Sequence, residues 1–183
     1  MPLNDSEIPR VFLHTGDAYI GVKPTIVSTV LGSCVAISMY SRRTQQGVIC
    51  HAFLPYRSEI KKESYSSIQI CRYVDTAVDH LLKCMLRLGV SKKEIEVKLF
   101  GGATGLTTSQ VRPPSALGIG NRNVTAALKC LEDNGLYPSK MDVGGNVGRK
   151  LLFATHSGDI WMKRLEKQMF RPDKNDISVP RKS

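Results

Sequence analysis

A cysteine closes the run Leu31-Gly32-Ser33-Cys34, and a histidine, His51, follows in the next apolar stretch. The thiolate is the reactive form of cysteine, and a nearby imidazolium lowers the thiol pKa below its free value of about 8.5. The same imidazole can protonate a departing amine and then activate water for a second step. Gly32 can take backbone angles that other residues avoid, and it leaves room for a substrate. Backbone N–H groups at such a corner can point at a developing oxyanion. A third group usually orients the ring, and Ser28 and Thr29, leading into the corner, both carry hydroxyls. Adjacent strand residues face opposite ways, so only one of the two should reach His51.

Other chemistry finds less support. Cys50 beside His51 invites a zinc reading, but Cys34, Cys50 and His51 lack the spacing of a tetrahedral site, and strand residues 50 and 51 would face opposite ways. No metal is expected. Phe100–Ala103 (FGGA) and Asp142–Arg149 (DVGGNVGR) fit neither GxGxxG nor GxxxxGK[ST], so they read as glycine corners beside a site rather than phosphate loops. Cys71, Cys84 and Cys130 read as small residues on helices. His14, His80 and His156 show no partner in the sequence and read as surface or structural residues.

The elements that must position Cys34 and His51 follow from the apolar pattern. Val11 to Val22 reads as one or two short strands around the Thr15-Gly16-Asp17 turn, and Thr25 to Leu31 as a buried strand. Val35 to Tyr40 and Val48 to Leu54 form a hairpin around the polar turn Ser41–Gly47. If its register sets His51 opposite or diagonal to Cys34, the two share a face; a one-residue slip sends His51 to the other side. Ser67 to Leu88 carries a helical period, with serines before it and Gly89 after it. Ile95 to Phe100 is a strand, Asn123 to Leu131 a helix, and Leu151–Thr155 with Ile160–Leu165 a hairpin around Ser157-Gly158-Asp159. Residues 56–66 and 103–118 read as loops.

Strands dominate, and two helices punctuate them without regular alternation. That pattern predicts an α+β domain with central sheets, sandwich-like, and helices packed outside. The 183 residues form one domain, 1–183, with flexible ends over about 1–9 and 171–183. No apolar run approaches the roughly 20 residues that cross a bilayer, and the first residues resemble no secretory signal, which predicts a cytoplasmic protein without membrane insertion. The five cysteines, an odd count without a CxxC pair, agree with a reducing compartment. A formal charge of +10, from 26 basic against 16 acidic residues, suggests an acidic partner. The basic residues lie in scattered pairs with few aromatics between them, and no nucleic-acid-binding signature appears, so nucleic acid is not expected.

Taken in order, these segments resemble the CheD family of chemoreceptor glutamine deamidases. The likeness runs from about Val11 to Leu165 through LGSCVAISMY, HAFLP, YVDTAV, FGGA, IGNRNV and DVGGNVGRK. The resemblance implies that Cys34 is the catalytic cysteine and His51 the catalytic histidine. It places the family's catalytic threonine at Ser28, with Thr29 as the alternative third member. It implies a sandwich similar to the catalytic domain of the cytotoxic necrotizing factor toxins. The implied reaction converts specific glutamines of methyl-accepting chemotaxis receptors to glutamate through a Cys34 thioester, without a cofactor. Hydrolysis of glutamyl methyl esters and binding of a CheC-type phosphatase belong to the same resemblance. A non-enzymatic adaptor on this fold would be favoured by loss of Cys34 or His51, and both are present.

Overall fold

A computed structural model describes residues 8–59, 69–104 and 118–165. Among these described residues, nine strands and two α-helices follow in the order β1 (Arg10–Phe12), β2 (Ala18–Gly21), β3 (Ile26–Leu31), β4 (Val35–Ser41), β5 (Gln46–Ala52), α1 (Val74–Arg87), β6 (Glu96–Gly101), α2 (Ile119–Asp133), β7 (Pro138–Val143), β8 (Arg149–Ala154) and β9 (Ile160–Arg164). The strands form two sheets, one ordered β1-β3-β8-β9 and the other β2-β5-β4-β6-β7. Both helices pack on the five-stranded sheet, α1 against β4 and β5 and α2 against β4. The fold is α+β, layered as helices, five-stranded sheet and four-stranded sheet.

Side-chain alternation explains the layers. Along β4 and β5, Val35, Ile37, Met39, Val48, Cys50 and Ala52 face the helices and meet Val74, Val78, Leu81 and Met85 of α1. Ala36 and Ile49 face the other way, into a second core with Val27, Leu31, Leu151 and Phe153 of the four-stranded sheet. Both central strands are buried along almost their whole length because each face has a cover. Burying one such aliphatic side chain contributes about 1.5–3 kcal/mol. That makes these two strands the rigid middle of the molecule.

Several boundaries differ from the sequence reading. The segment Val11–Val22 supplies two strands, and they enter different sheets. Helix α1 begins at Val74 rather than Ser67, because Tyr73 bridges Leu54 and the Val74 N–H bonds the Leu54 carbonyl at 2.8 Å. Cys71 therefore precedes the helix, buried in the core with Cys50. Residues 138–143 form β7, an edge strand parallel to β6, which the sequence reading did not anticipate. Ile8, within the leader expected to be loose, is buried against Ile26 and Ala154. The loop expectations at 60–66 and 105–117, and the tail from 171, lie outside the described residues. Among those residues, no helix is long and apolar enough to cross a membrane.

Candidate active site

The hairpin register decides whether the thiol and imidazole can meet. Val35 pairs with Ala52 and Ala36 with His51. Cys34 lies one residue beyond the last pair and packs against the same second core that Ala36 enters, on the face where His51 lies. That face looks into the space between the sheets, where Cys34 packs against the second core and His51 is buried. Cys50 points into the helix-side core instead. No group of metal-ligating side chains occurs among the described residues.

The strand leading into the Cys34 corner settles which hydroxyl faces His51. Along β3, Val27, Thr29 and Leu31 are turned inward, and Ser28 is turned outward. Thr29 Oγ1 lies 2.9 Å from His51 Nδ1 and 2.9 Å from the Leu13 carbonyl oxygen. Ser28 Oγ instead donates to the Val11 carbonyl at 3.2 Å. Of the two hydroxyls expected to compete for His51, the alternative, Thr29, is the one beside the ring and Ser28 faces away, because inward and outward positions alternate along the strand.

These two short contacts also fix the tautomer. A threonine hydroxyl carries one hydrogen, and a carbonyl oxygen can only accept. The hydrogen therefore goes to Leu13, and Thr29 Oγ1 accepts from Nδ1–H of His51. The lone pair then resides on Nε2, which is buried and has no hydrogen-bond partner. Backbone bonds hold the ring's base in place, since the His51 N–H reaches the Asp17 carbonyl at 3.0 Å and the His51 carbonyl accepts from Gly16 N–H at 2.7 Å.

Electrostatics favour a neutral pair at rest. Burial pushes the Cys34 thiol above its ordinary pKa, partly offset by its own backbone N–H. Burial likewise lowers the His51 imidazole, opposed by the Leu13 carbonyl and by Asp17. A preformed thiolate–imidazolium couple, the state the bare sequence suggests, is disfavoured by both directions. Cys34 and His51 share a core face but make no hydrogen bond with each other in this structure, and the free ring nitrogen of His51 is Nε2.

The glycine corners pack behind Cys34. Gly102 N–H donates to the Cys34 carbonyl at 2.7 Å, Ala103 N–H to Gly32 at 2.9 Å, and Gly144 N–H to Gly101 at 2.8 Å. Gly101 has φ +111°, and a Cβ there would stand 2.2 Å from the Cys34 carbonyl oxygen, so no side chain fits. The Asp142–Arg149 corner is held by an ion pair. Arg149, almost fully buried, donates from Nε to Asp142 Oδ1 at 2.6 Å and from Nη2 to the Gly144 carbonyl at 2.9 Å. Arg164 donates to Asp142 Oδ2 at 2.7 Å. Burial raises the Asp142 pKa, yet the bonds from Arg164 and Arg149 outweigh it and hold the carboxyl below its usual range.

Asn123 and Arg149 are the residues that sequence reasoning missed here. Asn123 stood as the start of α2, although its spacing to Ala126, Ala127 and Leu131 puts a polar side chain on the buried face of the helix. That mismatch is the signal that marks it. Arg149 read as the end of the Asp142–Arg149 glycine corner, but it is buried and pairs with Leu31 of β3, directly before the Cys34 corner.

A model of the CheD chemotactic sensory transduction family matches residues 53–164, beginning two residues after His51. A protein of Maridesulfovibrio salexigens named "Probable chemoreceptor glutamine deamidase CheD" is 77% identical over 170 residues, covering 93% of this chain and all of the relative. A Geobacter sulfurreducens protein, "Probable chemoreceptor glutamine deamidase CheD 2", is 37% identical over 167 residues, covering 91% of this chain and 97% of the relative. Both alignments are long enough to take in the Cys34 corner as well as the segment that the family model matches.

Proposed function

The chain belongs to the CheD family, and from that premise we propose that it deamidates glutamine side chains of chemoreceptors, with Cys34 as nucleophile, His51 as base and acid, and Thr29 orienting the ring. Cys34 Sγ attacks the carboxamide carbon while its proton passes to His51 Nε2. The carbonyl electrons move onto oxygen, and the backbone N–H of Cys34, which lies against its own sulfur, is close to that oxyanion. Collapse breaks the C–N bond, and Nε2–H protonates the departing nitrogen, so ammonia leaves and a thioester remains. Water then attacks the thioester carbon, giving a proton to Nε2. The second collapse expels Cys34 sulfur, which recovers that proton, and glutamate is released.

The observation that carries this reading is the Leu13–Thr29–His51 relay, which leaves a buried Nε2 lone pair on the face shared with Cys34. The +10 charge suits docking to helices rich in Glu and Gln. The cytoplasmic part of the receptors is the proposed meeting place. Ammonia release from a receptor cytoplasmic fragment tests the proposal. Release by the native chain, abolished in Cys34→Ser and in His51→Ala, is expected; release that survives Cys34→Ser overturns the nucleophile.

A further inference from the structure

Asn123 sits in the second turn of α2, fully buried, and its Nδ2 touches both halves of the site. It lies 3.0 Å from the Ser33 carbonyl, one residue before Cys34, and 3.1 Å from the Phe53 carbonyl, two residues after His51. A primary amide has two N–H hydrogens on one atom, and here each has its own acceptor. Two carbonyls flanking one end of the amide also fix which end is nitrogen. The cost falls on the other end, because Oδ1 is buried without a hydrogen-bond partner.

We propose that Asn123 is a positioning residue which ties the Cys34 strand to the His51 strand and sets the sulfur–imidazole separation. The position of the two tied carbonyls matters. The β4–β5 ladder runs from Ser41–Gln46 to Val35–Ala52 and stops there. Cys34 lies beyond its last pair, so the ladder does not hold the corner to the His51 strand. Asn123 supplies the missing cross-tie from outside the sheet. Helix α2 is held in turn, since a Cβ on Gly120 would stand 2.5 Å from the carbonyl oxygens of Gly102 and Ala103. The helix therefore seats directly on the backbone that bonds Cys34 and Gly32.

The inference rests on the Cys34–His51 reading, and its test separates the two. The full-length chain is treated with iodoacetamide, and the rate of Cys34 alkylation is followed against pH by mass mapping. The set is native, His51→Ala, Asn123→Ala, Asn123→Asp and Leu131→Ala. Asn123→Asp keeps the shape and, when ionised, offers no hydrogen; Leu131→Ala loosens the same helix away from the site. Both Asn123 variants should follow the His51→Ala profile, with rates lowered about tenfold or more near neutral pH, while Leu131→Ala follows the native one. On the receptor fragment, their turnover number should fall by a similar factor at unchanged KM. Asn123 variants that follow the native profile overturn the cross-tie while leaving the Cys34–His51 pair standing. A native profile equal to that of His51→Ala overturns the pair, and the cross-tie with it. Should the variants not fold, side-chain amide exchange in the native protein decides: two protected Nδ2 hydrogens support the tie, and rapid exchange of either refutes it.

Discussion

Thr29→Val removes one hydroxyl from the interior and changes almost nothing else in shape. Two buried groups lose their partner, the Leu13 carbonyl oxygen and Nδ1–H of His51, each at 2.9 Å from Thr29 Oγ1. Leaving one such group unsatisfied costs about 1–3 kcal/mol, so the variant should lose about 2–6 kcal/mol of stability. For a domain of this size each kcal/mol lowers the melting temperature by about 2–4 °C, which predicts a fall of about 4–24 °C. The effect on rate is larger in kind, because the ring is then free to rotate or to place its proton on Nε2. Acyl-transfer enzymes lose about 10²–10⁴ in kcat when the tautomer of their base is no longer held, a barrier increase of roughly 3–5.5 kcal/mol. Ser28→Ala, by contrast, gives up a half-buried bond of 3.2 Å to Val11 and no contact with the ring, about 0.5–1.5 kcal/mol. The assay is ammonia release from a receptor fragment by Thr29→Val, Thr29→Ser and Ser28→Ala, alongside thermal melts. Thr29→Ser should retain turnover, since it keeps the hydroxyl. A crippled Ser28→Ala with a normal Thr29→Val would refute the relay and return the third position to Ser28.

Stability should depend on pH through His51. Its imidazole is held below its ordinary pKa by burial, so the unfolded chain takes up the proton first; stability is complete above about pH 6.5 and falls by up to about 1.4 kcal/mol per pH unit below it, a slope that denaturant melts should lose in His51→Gln. Arg149→Met removes the bonds from Nε to Asp142 and from Nη2 to the Gly144 carbonyl while Arg164 still pairs with Asp142, which should cost about 1–3 kcal/mol, read as a melting point lower by about 2–12 °C; an unchanged melt would contradict the role given to this ion pair. Gly101→Ala should abolish turnover or folding, because its Cβ meets the Cys34 carbonyl oxygen; a fully active variant would show that the corner is not tightly packed.

The hairpin that carries Cys34 and His51 is legible in the sequence because polar residues mark its turn and apolar residues run along both strands. Which face each residue takes is another matter. On β3 both sets of alternate positions are apolar, Val27 and Leu31 inward and Ile26 and Val30 outward, so the pattern alone does not tell whether Ser28 or Thr29 points at the core. The tertiary fact that decides it is the cover over each face: the second core on one side, and Ile8 near one end of the other. Strand β7 escapes notice for a related reason. Its residues Ser139, Lys140 and Met141 are exposed at a sheet edge, where no apolar alternation is required. Asn123 is concealed by the opposite circumstance, a polar residue kept inside by two backbone carbonyls from distant segments. Neither carbonyl leaves any trace in local sequence.

Deamidation leaves a specific chemical record on the substrate, and reading that record tests the central claim most directly. A receptor cytoplasmic fragment is incubated with the native chain, with Cys34→Ser and with Thr29→Val, then digested and mapped by mass spectrometry for glutamines that have become glutamates. The relay predicts conversion at discrete glutamines by the native chain, none by Cys34→Ser, and conversion slowed by about two orders of magnitude or more by Thr29→Val. Conversion at the same glutamines by Cys34→Ser, at the native rate, would contradict it.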